Sequence, residues 1–187
     1  MKTTKRLVSS AIFLTFAGIL LTACGGKDIE EVTAEPGENI YSTAEFSIIY
    51  PQDWEILEQE TFPSLVPHQT VVAFRNNIKD EIFTANVNVS KTTLETEINA
   101  EDLAKSTMSK IRTTLLDVRE FPLLEHDKGI LMEFQGRKSP AEPIIHFKSL
   151  NVISNTYAYT ITGAYLPTED ESVVMKMERM IDSFTLN

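Results

Sequence analysis

Phe83-Thr84-Ala85-Asn86-Val87-Asn88-Val89-Ser90 carries the clearest periodicity in the chain. Ala85, Val87 and Val89 fall on one side and Asn86, Asn88 and Ser90 on the other, the alternation of a strand with one buried face. Upstream, Phe46, Ile48 and Tyr50 alternate in the same way until Pro51 ends the run. Trp54 to Leu57 restarts it after the turn Pro51-Gln52-Asp53, and Thr70 to Arg75 is a third strand. Downstream the period changes to that of a helix. Asn99 suits the N-cap, Glu101 and Asp102 suit the positive helix end, and Leu103, Met108, Ile111 and Leu115 form an apolar stripe.

Three further strands follow, at Gly129 to Gly136, Ile144 to Ser154 and Tyr157 to Tyr165, and Asp117 to Leu124 is another candidate. The turns Gly136-Arg137-Lys138-Ser139-Pro140 and Ser154-Asn155-Thr156 are short enough for hairpins, so the pairing is expected to be antiparallel. A last helix is expected from Thr168, with Thr168 and Glu171 as a capping box and Val173, Met177, Met180, Ile181 and Phe184 as its buried face. The predicted class is α+β: an antiparallel sheet of about six to eight strands with helices packed on it.

Three patches resemble a known family. Phe46-Ser47-Ile48-Ile49-Tyr50-Pro51-Gln52-Asp53-Trp54 is similar to the F-x-I-x-Y-P-x-x-W opening of PsbP-like domains. Tyr157 to Gly163 resembles their Y-x-x-T-x-x-G strand, and Ile181-Asp182-Ser183-Phe184 resembles their I-x-x-S-F finish with one residue fewer before the serine. The span from Tyr41 to Leu186 covers nearly the whole domain, and the resemblance implies a PsbP-like α/β/α sandwich. It implies no active site. The manganese–calcium cluster associated with photosynthetic members has no matching ligand motif here. The motif residues also have physical roles. Pro51 forces a turn, Trp54 is a core anchor, and Gly163 permits either a close backbone approach or a bulge.

The N-terminus has a different logic. Lys2, Lys5 and Arg6 precede an apolar run from Ala11 to Leu21, and Leu21-Thr22-Ala23-Cys24 follows with Gly25 and Gly26 behind it. A positive start, a short apolar core and a small-residue cleavage site form a secretory signal, too short for a spanning helix. The four residues before Gly25 resemble the bacterial lipobox. That resemblance implies cleavage between Ala23 and Cys24 and a diacylglyceryl group on the Cys24 thiol. Cys24 is the only cysteine of the 187 residues, so no disulfide can form within the chain. Two acyl chains give stable membrane attachment where one does not. The expected organisation is a signal over 1–23, a flexible acidic tether over 24–39 and a PsbP-like domain over 40–187. The expected location is lipid-anchored at the cell membrane or outer membrane, outside the cytoplasm.

Without the leader, 14 basic side chains face 27 acidic ones, a net charge of −13. Such a surface repels phosphate backbones, which argues against a nucleic-acid partner. The motifs of nucleophilic catalysis and of phosphate-cradling glycine loops are missing, and no catalytic residue is assigned. His68, His126 and His146 lack paired ligand spacing, so neither a metal nor a cofactor is expected. Glu169-Asp170-Glu171 reads as a helix start rather than a cation site.

Two surface candidates remain. The Pro-bounded loop Gln59 to Gln69 presents Phe62, Leu65, Val66 and His68. These either meet a partner or fold back over one end of the sheet. The basic turn Arg137-Lys138 is the second. The expected function is a lipid-anchored envelope accessory or binding module that contacts an unidentified envelope protein. A small-ligand or metal-ion carrier is the alternative, and an enzyme ranks last.

Overall fold

A computed structural model describes residues 33–64 and 66–187. The elements run β1 (Glu38–Ser42), β2 (Phe46–Pro51), β3 (Glu55–Glu58), β4 (Thr70–Arg75), β5 (Asn86–Thr93), α1 (Ala100–Thr114), β6 (Leu116–Glu120), β7 (Leu124–His126), β8 (Gly129–Arg137), β9 (Ile145–Ser154), β10 (Tyr157–Tyr165), α2 (Glu171–Ser183) and β11 (Thr185–Leu186). A large sheet takes the order β3-β4-β5-β10-β9-β8-β6, with β7 also paired to β8, and a small sheet takes β1-β2-β11. Every pair is antiparallel. The large sheet thus has eight strands, at the upper end of the expected six to eight. Its long hairpins close where predicted, and Asn155 adopts the left-handed φ of 52° that the tight β9–β10 turn requires.

The alternation read from the sequence sorts side chains onto two faces. One face, with Val72, Phe74, Val87, Val89, Leu150 and Ile161, packs against α2 and the small sheet in the main core. The other carries Met132 and Phe134 against Met108 and Ile111 of α1 and Leu115 at its C-cap. Helices therefore lie on both sides of the sheet, as in an α/β/α sandwich. The stripe on α2 is buried as predicted, with Val173, Met177, Met180, Ile181 and Phe184 all under 9% exposed. Met175, on its outer side, is 62% exposed. Gly163 lies directly beneath this helix. A Cβ there would sit 3.0 Å from Met177 Cε and 3.2 Å from Ile181 Cδ1, so the glycine serves close helix–sheet approach.

The motif residues belong to two aromatic groups linked through Tyr41. Phe46 lies over Phe184 at 5.3 Å, Tyr159 meets both rings, and Tyr50 stacks on Phe74. Ser183 is buried beside them. Its Oγ donates to the Met180 carbonyl at 2.7 Å and accepts the Ile49 amide at 2.9 Å. The serine and phenylalanine that close α2 therefore join it to β2.

Trp54 is 4% exposed, as its role in the core requires. Its indole Nε1, however, is buried without a hydrogen-bond partner. A buried donor left unmade costs about 1–3 kcal/mol. Trp54→Phe relieves that cost while giving up apolar contact of similar size. The expected net change is within about 1 kcal/mol, against about 3–5 kcal/mol for Trp54→Ala. Urea unfolding followed by circular dichroism measures both, and a loss above about 3 kcal/mol in Trp54→Phe would contradict an idle indole N–H.

Three expectations on element boundaries are corrected. The segment 24–39 was expected to be tether throughout, yet Glu38 and Asn39 already pair with Pro51 and Tyr50 in β1–β2. The last helix starts at Glu171 rather than Thr168. Leu166 and Glu169 close a turn, and the Asp170 carboxylate takes the Ser172 amide at 2.8 Å, so Asp170 is the cap. The strand expected from Phe83 begins at Asn86 instead. Asp80 Oδ1 accepts the Ile82 amide at 2.6 Å and the Phe83 amide at 3.4 Å, which holds both out of the ladder.

Candidate functional site: a cleft on the outer sheet face

A helix with its side chains is about 10–12 Å wide and strands lie about 4.8 Å apart, so one helix covers only two or three strands. The apolar side of α1 rests on β8 and β9, with Met132, Phe134 and Phe147 beneath it. Beside it, Asn86, Asn88 and Thr162 are only half-buried. At the C-terminal end of α1 lies a cleft of about 530 Å³. Its floor includes Asn86, Ala164 and Phe147, which lie side by side across β5, β10 and β9. Leu115, Ile82, Phe83, Pro143 and Ile145 add apolar surface, and Asn88, Arg137, Lys138 and Glu142 add polar groups.

The loop 76–85 borders this cleft and is held by its own side chains. Asn76 Oδ1 accepts the Ile78 amide at 3.1 Å, the Asn76 amide donates to the Ala85 carbonyl at 3.0 Å, and Asn77 Nδ2 donates to the Asp53 carbonyl. With Asp80 capping Ile82 and Phe83, these bonds present Ile78 at 76% exposure and Ile82 at 68%. Ile78 and Ile82 are the most exposed large apolar side chains among the described residues. Sequence reasoning passed over this loop. The available signal was the pair of isoleucines four residues apart among the turn-forming Asn76, Asn77 and Asp80.

The residues singled out from sequence are dispersed. Phe62 and Val66 are half-buried and His68 is exposed, all around a separate hollow of about 300 Å³ at the opposite end of β4. Leu65, Ala23 and Cys24 lie outside the described residues. Arg137 pairs with Asp117 and donates to the Pro140 carbonyl at 3.0 Å, whereas Lys138 is exposed. His126 lies against Asp127 and Asp182, and His146 bonds Gln135 at 2.7 Å. Among the described residues no group of three or more His, Cys, Asp or Glu side chains is arranged to hold a metal ion.

Two ion clusters sit away from the cleft. Lys148 is 2.7 Å from Glu178 and 3.4 Å from Glu133. Burial works against its charge, but the two carboxylates outweigh that and hold its pKa above the usual lysine value. Lys91 lies 3.9 Å from the Tyr157 ring centroid and 2.5 Å from Glu45, whose carboxyl it holds below the usual range. Both clusters are satisfied within the fold.

The fold is PsbP-like. Over 89% of this chain and 99% of the other, it is similar to the solution structure of cyanobacterial PsbP (CyanoP) from Synechocystis sp. PCC 6803, with a TM-score of 0.56 at 14% identity. The Ran-binding protein Mog1p of Saccharomyces cerevisiae gives 0.57 at 8% identity, over 80% of this chain and 95% of that one. LpqN of Mycobacterium tuberculosis, involved in cell envelope biogenesis, gives 0.54 at 12% identity over 80% and 90%. No family model and no curated protein matches the sequence. At these identities the likeness is one of architecture. No helix among the described residues is long and apolar enough to cross a membrane.

Proposed function

We propose that this protein is a lipid-anchored accessory module of the cell envelope, which acts by binding another envelope protein rather than by catalysis. The leader ending in Leu21-Thr22-Ala23-Cys24 supports the anchor. The observation that carries the binding role is the internally bonded loop 76–85 with its two exposed isoleucines. Precedent exists at the level of the fold alone: Mog1p is a Ran-binding protein and LpqN is involved in cell envelope biogenesis.

The start of the domain is fastened down. Arg179 of α2 donates to the Thr33 carbonyl at 3.3 Å and to Glu38 at 3.4 Å, and lies 3.9 Å from Glu35. The distance from Cys24 to Thr33 is bounded by covalent length alone. At about 3.3–3.6 Å per extended residue, the nine residues from Cys24 reach about 30 Å at most. A partner must be met close to the lipid surface.

The test is crosslinking in intact cells, comparing the natural protein with the Ile78→Ser/Ile82→Ser double variant and with Phe62→Ser. Loss of the crosslinked complex in the isoleucine variant alone, at unchanged melting temperature, is the expected result. These exposed positions are expected to move stability by no more than about 0.5 kcal/mol. Loss in Phe62→Ser alone would place the contact on the loop 59–69. An identical complex in all three proteins would refute both surfaces.

A further inference from the structure

We infer that the cleft at the end of α1 is a binding site for a small apolar molecule that carries amide groups. Its volume of about 530 Å³ suits such a ligand, since small-molecule sites span about 300–1,000 Å³. Phe83, Phe147, Ile145, Leu115 and Ala164 supply apolar surface. The polar groups set the class of ligand.

On this face of the sheet the neighbouring polar side chains satisfy one another across strands. Ser149 bonds Thr162 at 2.9 Å, Asn151 bonds Thr160 at 3.3 Å, and Thr70 lies 3.5 Å from Ser90. Asn88 sits in the same ladder, opposite Thr162, yet its carboxamide bonds no described residue. Asn86 uses its Nδ2 on the Thr84 carbonyl at 3.0 Å and leaves Oδ1 unused. A half-buried carboxamide shows a donor and an acceptor side by side, and its natural complement is another amide.

Charge does not favour an ion. The ends of the Arg137 guanidinium are taken by Asp117 and the Pro140 carbonyl, and its buried Nε is left as one more unused donor for a carbonyl oxygen. Lys138 and Glu142 are one unpaired cation and one unpaired anion among the described residues of the lining. A neutral ligand loses least by entering. The cleft shares Ile82 with the partner contact proposed above, but the test below reads Asn88, which that contact does not use.

The probe is radiolabelled N-acetyl-leucyl-phenylalaninamide, added to the full-length protein in phosphatidylcholine vesicles with protein-free vesicles subtracted. Saturable binding of one probe per chain is expected. Asn88→Leu should weaken it about tenfold, the effect of losing one or two hydrogen bonds. Asn88→Asp, which keeps the shape and removes the donor, should weaken it similarly, which separates recognition from a folding defect. An ester analogue lacking the terminal amide should bind the natural protein as weakly as the amide binds Asn88→Leu. Uptake no greater than by empty vesicles would overturn the site. Equal affinity in all three proteins would overturn the amide class and leave only an apolar hollow.

Discussion

Phe184→Ala is expected to lower the melting temperature by about 6–20 °C. Phe184 is fully buried and joins three layers, because its ring touches Phe46 of β2 and Tyr159 of β10 while its backbone ends α2. Truncating a buried phenylalanine costs about 3–5 kcal/mol, a large part of the roughly 5–15 kcal/mol that holds a domain folded. For a domain of this size each kcal/mol moves the midpoint by about 2–4 °C. Ser183→Ala provides a comparison of different origin. It removes no large volume but strands the buried Ile49 amide, at about 1–3 kcal/mol. Calorimetry of both variants should therefore rank Phe184 well above Ser183. A midpoint within about 3 °C of the natural protein in Phe184→Ala would mean that the aromatic stack does not secure the helix end.

The second large effect is one of location. Cys24→Ser is expected to abolish lipid attachment, since a hydroxyl does not replace the thiol in thioether formation. The product should be either an uncleaved precursor or a form released from membranes. Fractionation of cells, with mass measurement of the N-terminal peptide, reads both. Unchanged cleavage together with unchanged membrane retention would exclude Cys24 as the anchor. The domain itself should melt as before, because every strand and helix of the described fold begins at Glu38 or later.

The parts of this fold that were legible in the sequence are those in which a short-range period coincides with burial. The alternation of Val87 and Val89 marked a face of β5, and the spacing of Val173, Met177, Met180 and Ile181 marked the buried side of α2. Gly163 was legible as a place of either close backbone approach or a bulge, and the structure shows the Met177 and Ile181 side chains packed over it. Other features depend on contacts that no local window contains. β11 is two residues long and exists only because β2 lies beside it. The early start of β1 depends on pairing with β2 and on Arg179, some 140 positions away in the chain.

The cleft was illegible for the same reason. Asn86, Ala164 and Phe147 come from three strands, and only the register of the finished sheet makes them neighbours. The loop 59–69 attracted notice because two prolines frame its apolar residues, yet Phe62 and Val66 are half-buried. Proline content predicts irregular backbone and says little about exposure.

The methionines of the fold have a consequence for how the molecule ages. Met108, Met132, Met177 and Met180 are at most 5% exposed, whereas Met175 is 62% exposed. An oxidant therefore meets the Met175 thioether first, and a sulfoxide there adds a polar oxygen to a surface already wet. The same change at Met177 or Met180 would place that oxygen in the apolar seam between α2 and the sheet. It can happen only once the helix has lifted away. One helix thus carries both an early, harmless target of oxidation and, a few residues along, a chemical record of any opening of the core.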